Sequence, residues 1–282
     1  MINLNNLGYH SDCIARKIEG EFTETDTYFV LRMPKNPTFH WGNLIVFRAE
    51  PRKYDFDAWI SAFKNEFGEE SSHIALGWET QEIGNIDDFI QAGFSLKSQS
   101  VLVLDELEEI QISRNDLVIR KIESDADWKK VLELQIYISE GENPSKDYVD
   151  FKVRDFETYR ALSENGDGNW WGVFLGEKLV GDMGLYFDNS LETGRFQSVE
   201  THPDYRRMGV CSKLLYWVSS DALRKNPRIK LVICTERDSD AERIYRKLGF
   251  VRHQAQHGVC LPGKLKISSN KSAPTTSAIV LR

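Results

Sequence analysis

The stretch Val199-Glu200-Thr201-His202-Pro203-Asp204-Tyr205-Arg206-Arg207-Met208-Gly209-Val210-Cys211 runs from a strand-like segment into a helix-like one. Arg195–Thr201 has strand character, and Pro203 ends the ladder because it has no amide donor. From Gly209 to about Leu223, Val210, Leu214, Leu215, Val218 and Ala222 recur at helical spacing. A loop feeding a helix N-terminus presents unpaired amides and the positive end of a dipole, a ready anion site. Gly209 leaves room for a phosphate against the backbone. Arg206 and Arg207 add fixed charge, and Lys213, Arg224, Lys225, Arg228 and Lys230 keep the neighbourhood basic. One charge at an exposed helix end contributes about 0.3–1 kcal/mol, so only several converging donors hold a pyrophosphate. The bland alternative is a basic solvated turn before an ordinary helix. No GxxxxGK[ST] and no strand-borne GxGxxG occurs, which argues against P-loop and dinucleotide sites.

Working outward, the second half reads as alternating strands and helices. Leu117–Ile122 is a strand, and Ser124 caps a helix carrying Trp128, Val131, Leu132 and Gln135–Ile136. A helix over Lys146–Ser163 follows, ended by the turn cluster Asn165-Gly166-Asp167-Gly168. Trp170–Leu175 and Leu179–Phe187 form a hairpin around Gly176-Glu177-Lys178. Beyond the quoted stretch come a strand at Ile229–Cys234, a capping box at Ser239 and Glu242, and a last strand at Phe250–Leu261. The first half is a shorter version: strands at Tyr28–Met33, Leu44–Phe47 and His73–Trp78, with an amphipathic helix over Phe56–Phe67. Phe89-Ile90-Gln91-Ala92-Gly93-Phe94 echoes Tyr245-Arg246-Lys247-Leu248-Gly249-Phe250, each after a short helix and before a strand, Val101–Leu104 in the first copy. The fold class is therefore α/β with a mixed sheet, one fold used twice.

At 282 residues the chain exceeds the usual domain of roughly 100–200 residues, so two domains are expected. We divide it at the acidic linker Glu106–Gln111 into 1–112, 113–262 and a Ser-, Lys- and Thr-rich tail, 263–282. An apolar share of 41% with 11% aromatics excludes wholesale disorder. No run is apolar for the roughly 20 residues a membrane span needs, and no secretory leader is recognisable. Cys13, Cys211, Cys234 and Cys260 show no CxxC spacing, which suggests reduced thiols, no metal and a cytoplasmic location. A net charge of −7 argues against nucleic acid as partner. Residues 1–115 hold 10 Lys and Arg against 19 Asp and Glu, a net of −9, and the remainder 26 against 24, a net of +2.

Together these residues resemble the GNAT superfamily of acyl-CoA-dependent N-acetyltransferases. Its hallmark V-x-x-x-P-x-x-[RQ]-x-x-G-x-[GA] is matched from Val199 to Cys211. Its second signature, N-x-x-A-x-x-x-Y-x-x-x-G-F, is matched by Asp238-Ser239-Asp240-Ala241-Glu242-Arg243-Ile244-Tyr245-Arg246-Lys247-Leu248-Gly249-Phe250. Two positions depart from it. Cys211 stands for Gly or Ala and reads either as a packed thiol or, at a helix N-terminus beside arginines, as one with a depressed pKa. Asp238 stands for Asn and serves either the cofactor or the helix start.

The resemblance implies tandem GNAT-like domains, each a twisted mixed sheet flanked by helices, with acetyl-CoA as cosubstrate and a chemical step in the second. Backbone groups around Val199 and Thr201 would pair with pantetheine. Arg206, Arg207, Met208, Gly209, Val210, Cys211 and Ser212 would cradle the pyrophosphate. Tyr245 would protonate the leaving thiolate after an amine attacks the thioester. Glu200 is the first candidate for the base, with His202 and Asp182 behind it, although strand alternation leaves open which face Glu200 takes. The first half lacks the arginine–glycine loop, so it resembles a degenerate copy that shapes the acceptor site. Its acidity suggests a cationic small-molecule or peptide amine, and the assembly would be a monomer or homodimer. The same residues also suit a non-catalytic acyl-CoA sensor, or an enzyme taking a longer acyl chain.

Overall fold

A computed structural model describes residues 3–263 except 69, 70, 112, 113, 189 and 191; apart from Gly263, the tail read at 263–282 lies outside the described residues. In chain order the elements are α1 (Leu7–Asp12), β1 (Glu21–Glu24), β2 (Tyr28–Arg32), β3 (Leu44–Phe47), α2 (Phe56–Phe67), β4 (His73–Trp78), α3 (Asp87–Gln91) and β5 (Ser95–Leu104). The second half supplies β6 (Leu117–Lys121), α4 (Asp125–Glu140), α5 (Lys146–Glu164), β7 (Gly168–Leu175), β8 (Lys178–Asp188), β9 (Thr193–Thr201), α6 (Val210–Lys225), β10 (Lys230–Glu236), α7 (Asp240–Lys247) and β11 (Phe250–Pro262). The caps lie where the sequence places them. Ser124 accepts from the Asp127 amide and Ser239 from the Glu242 amide, while the Glu242 carboxylate accepts from the Asp238 amide.

All the strands join one mixed sheet in the order β1-β2-β3-β4-β11-β5-β10-β9-β8-β7-β6. The halves exchange their last strands. β5 of the first half runs antiparallel to β10, from Val232 opposite Val103 to Glu236 opposite Gln99. β11 of the second half runs antiparallel to β4, from His257 opposite Trp78 to Pro262 opposite His73. The two exchanged strands also pair with each other between Phe250–Leu104 and Cys260–Ser95. The repeat seen in the sequence lies at this exchange: α3 and α7 each end at a glycine with positive φ, Gly93 at +93° and Gly249 at +95°, before the exchanged strand begins.

One face of the sheet packs α6 and α7 on Val180, Leu185, Phe196 and Ile233, and α2 on Ile45, Leu76 and Trp78. Leu96 and Leu102, six residues apart on β5, belong to this face. The other face carries α4 and α5, whose Trp128, Phe156 and Tyr159 cover Trp170 and Tyr186, and α1, whose Tyr9 covers Phe29 and Val46. Arg16, just beyond α1, joins the halves: its Nη1 lies 2.9 Å from Asp155 of α5, and its guanidinium stacks 4.3 Å over Phe39.

Candidate active site

β9 and β10 are parallel neighbours that pair only from Thr193–Lys230 to Arg195–Val232. Beyond Val232, β10 bonds to β5 on its far side, while β9 continues along β8 to Thr201. The two strands therefore part, and the β10-facing backbone of β9 from Phe196 onward is left without a strand partner. A bulge lies in this stretch: Asp182 opposes Glu200 and Gly184 opposes Gln197, so Met183 faces both Ser198 and Val199. Ser198 takes a φ of +44°, and its carbonyl accepts a bond from Gln135 Nε2 at 2.9 Å.

The loop after β9 sits at the open end of this cleft. A single 3-10 turn, Pro203–Tyr205, leads to Arg206, Arg207 and Met208, all exposed. Arg207 and Gly209 take positive φ, +62° and +77°, which turns the chain into α6. That helix begins at Val210 with no side-chain cap and no acidic residue in its first turn. The amides of Val210, Cys211 and Ser212 thus point into the loop without an internal partner, the arrangement an anion needs. Lys213 holds this first turn to the strand beyond the linker, with Nζ 2.6 Å from the Arg114 carbonyl and 3.1 Å from that of Leu117.

The face of Glu200 is decided by the pleat. Gly181 points at Val210 and Thr201 on the α6 side, so Asp182 and its cross-strand partner Glu200 point toward α4 and α5. Glu200 is half-buried, and burial raises its pKa, against the opposing pull of Lys152 and Arg206. Asp182 is fully buried. Its Oδ1 accepts from Gln135 Nε2 at 2.8 Å and Trp170 Nε1 at 3.0 Å, while its Oδ2 has no partner. Burial pushes its carboxyl up to about 8. Lys152 of α5 faces both carboxyls, its ammonium 5.5 Å over the Phe156 ring.

Tyr245 is 4% exposed, and burial holds its phenol well above the usual value, reinforced by Cys211 and Glu200. Among the described residues nothing hydrogen-bonds its hydroxyl. Burial pushes the Cys211 thiol up to about 12, the direction of a packed thiol and not of an activated one. Asp238 is exposed and held by the Arg252 guanidinium, which also grips Glu242. His202 is taken up by its own turn, Nδ1 accepting from the Asp204 amide at 3.3 Å. Gln135 and Lys152 are not singled out as site residues by the sequence. A signal exists for Gln135, a polar side chain inside the apolar stripe of its helix; none exists for Lys152.

On the same face as the carboxyl pair, a cavity of about 550 Å³ opens beneath α1. Its walls include Tyr9, Phe29, Trp41, Leu44 and Val46, together with Arg195 of β9 and Glu236 of β10. Asp12 belongs to the wall as well but is paired with Arg195 at 2.7 Å. Among the described residues no group of three His, Cys, Asp or Glu is placed to hold a metal, and no helix is long and apolar enough to cross a membrane.

The state of Asp182 makes stability depend on pH. An unfolded aspartate releases its proton near 3.9, roughly four units below the folded value. The folded chain therefore binds more protons across that interval, and its stability falls as pH rises from about 4 to about 8. Urea unfolding at several pH values should show this decline, and Asp182→Asn should flatten it; parallel curves for both proteins would remove Asp182 as its source.

A parting pair of parallel strands, a bulge on the first and an uncapped helix N-terminus at the open end make the anion-binding cleft that the resemblance to acyl-CoA-dependent transferases implies. The family model described as Acetyltransferase (GNAT) family matches residues 133–250. Over those residues the chain matches the GNAT family, and that match supports an acyltransferase. Among solved structures it is similar to a functionally unknown conserved protein from Staphylococcus epidermidis, with a TM-score of 0.72 at 14% identity, over 87% of this chain and 95% of that one. It is similar also to a GCN5-related N-acetyltransferase from Kribbella flavida, with a TM-score of 0.61 at 10% identity, over 93% and 97%. A tandem GNAT protein from the clavulanic acid biosynthesis pathway aligns over 94% and 98%, with a TM-score of 0.53 at 11% identity. These likenesses, at low identity, are likenesses of fold. No curated protein matches the sequence.

Proposed function

We propose that this chain moves acetyl from acetyl-CoA to a primary amine by direct attack, in the cleft between β9 and β10. The observation that carries this is the meeting, at one cleft, of uncapped amides flanked by arginines with a carboxyl pair and a buried phenol. In this reading residues 113–262 hold the cosubstrate and residues 1–112 form the companion half. Acetyl-CoA supplies the activated acyl carbon; the chain supplies position and protons. The backbone of β9 about Val199 and Thr201, which has no strand partner on its β10 side although the Thr201 carbonyl accepts from Arg206 Nε at 3.2 Å, receives pantetheine as an added strand. Arg206, Arg207, Met208 and Gly209, with the amides of Val210, Cys211 and Ser212, surround the pyrophosphate. Glu200 takes the ammonium proton so that the amine attacks neutral, and Tyr245 offers its proton to the departing sulfur. Asp238, through Arg252, serves the start of α7.

The acceptor is an amine with an apolar body. Its ammonium is drawn to Glu200 and Glu236, and its body fits the aromatic walls of the 550 Å³ cavity. The acidity of the first half is thus only part of the recognition.

Two measurements test the reading. Acetyl-CoA at a hundredfold over its Kd should stabilise the fold by about 2.7 kcal/mol, and replacing Arg206 and Arg207 together by alanine should weaken binding about tenfold. A flat thermal shift at millimolar ligand would defeat the proposal. Thiol release should then be faster with arylalkyl or branched aliphatic amines than with linear polyamines. Binding with no release on any amine would favour the acyl-CoA sensor instead.

A further inference from the structure

Asp182 carries an unusual burden for a residue in the middle of a buried strand. It is wholly enclosed, with apolar residues on either side in β8 and Trp170 and α4 above it. An isolated buried carboxylate is strongly disfavoured and needs either a cation in contact or a bound proton. No cation is in contact: Lys152 reaches it only through space, and Asp182 forms no ion pair among the described residues. The two donors that reach it, Gln135 Nε2 and Trp170 Nε1, both bond the same oxygen. The other, Oδ2, is buried without a partner. An acceptor-only oxygen would leave that position unsatisfied, whereas a protonated one carries an O–H that needs an acceptor. The residue directly across the ladder is Glu200, with its β-carbon about 5 Å away and its carboxyl on the same face.

We propose that Asp182 is a positioning residue for Glu200: it stays protonated, and its Oδ2–H is held toward the Glu200 carboxylate, so that one proton lies between two carboxyls. The proposal rests on the reading of Glu200 as the base. The step is balanced. The substrate ammonium gives one proton to Glu200, which becomes neutral, while Asp182 keeps its own; when Glu200 later returns that proton to solvent, the pair is restored. In the resting pair, the Asp182 O–H fixes the rotamer of Glu200 and supplies a hydrogen bond to its anionic form. Should Asp182 ionise, two carboxylates would face each other, Glu200 would lose that donor, and the attacking amine would be held as an ammonium.

The charged and titratable groups around the pair come from every neighbouring element. Lys152 and Tyr148 of α5 face it from above, Arg206 from the loop, and Cys211 of α6 and Tyr245 of α7 through the cleft. Lys152 and Arg206 favour the anion on Glu200, and Glu200 in turn favours the proton on Asp182. Cys211 and Tyr245 stay neutral through the working range, so they do not titrate alongside the pair.

The test is a carbon-13 titration of the side-chain carboxyls in the full-length protein, alone and as Glu200→Gln, with pH profiles of kcat/KM for the wild type and Asp182→Asn. In the wild type the Asp182 carboxyl should titrate at least ~2 pH units above ordinary aspartates, and in Glu200→Gln it should move down because a neighbouring negative charge is gone. Asp182→Asn preserves an acceptor for Gln135 and Trp170 and a donor toward Glu200 but cannot titrate. Its profile should lack the decline that the wild type shows between about pH 7 and 9. An Asp182 resonance titrating with the ordinary aspartates, or one indifferent to Glu200→Gln, would overturn the pairing, and so would superimposable pH profiles. The wild-type titration needs no substitution at Asp182, so a poorly folded variant does not leave the question open. If Glu200→Gln retains full turnover, the base reading fails and the role of Asp182 falls with it. If turnover drops but Asp182 ignores Glu200, the base reading stands and the pairing alone is lost.

Discussion

Alanine at Gly249 should destabilise the protein by more than about 3 kcal/mol, in the range reserved for specific steric mechanisms, while alanine at Gly93 should cost about 1 kcal/mol from backbone strain alone. The two glycines hold the same place in the repeat and nearly the same φ, +95° and +93°. Their surroundings differ. A β-carbon on Gly249 would lie 1.7 Å from the carbonyl oxygen of Glu106 and 2.9 Å from its carbon. That segment cannot step aside freely, because the Asp105 amide bonds to the Gly249 carbonyl at 3.1 Å and the Glu108 amide to that of Leu248 at 3.2 Å. A β-carbon on Gly93 meets only the tip of Leu261 at 3.7 Å. Urea unfolding of both variants measures the contrast. Equal losses would mean that the linker after β5 yields without cost and that its bonds to Leu248 and Gly249 do not hold it in place.

Removing one oxygen from Tyr245 should lower turnover by about 100-fold, the smaller end of what a positioned proton donor contributes. Tyr245→Phe is well suited to the question. The ring packs near Phe250 with centroids 6.3 Å apart, and that packing is kept. The hydroxyl has no hydrogen bond within the described chain, so none is broken. Burial keeps the phenol protonated, the state a donor must have. Stability and acetyl-CoA affinity should therefore stay close to wild type while kcat falls. Full activity would remove Tyr245 from the mechanism, and a parallel loss of affinity would make it a binding group.

Much of the second half was legible because its signals are local. The helix after Gly209 announces itself by the spacing of Val210, Leu214, Leu215 and Val218, and the start of α7 by Ser239 with Glu242 three residues on. Hydrogen-bond chemistry at a helix end depends on a few adjacent residues, so it is written in them. Elements with weaker patterns were missed: α1, the short strand β1, and the first part of β5, where Ser95, Lys97 and Gln99 alternate with Leu96 and Ser98 and give little apolar signal. The linker Glu106–Gln111 reads as a plain connection, yet it is clamped to the residues before β11.

For the proposed site, the loop assigned to the pyrophosphate and the candidates Tyr245 and Glu200 could be read from local sequence, because Pro203, Gly209 and the arginines act through their own backbone and charge. The face that Glu200 takes, the placing of Asp182 opposite it, and the approach of Gln135 to Asp182 and of Lys152 to both carboxyls come from the tertiary structure. Those facts depend on a one-residue bulge at Ser198 and on strand register, and a shift of one residue would turn each side chain to the other face. The exchange of β5 and β11 is of the same kind. Two similar strands in two similar halves can each pair at home or across, and what selects between those pairings is contact between residues far apart in the chain, such as Cys260 opposite Ser95, 165 positions away, which no local pattern encodes.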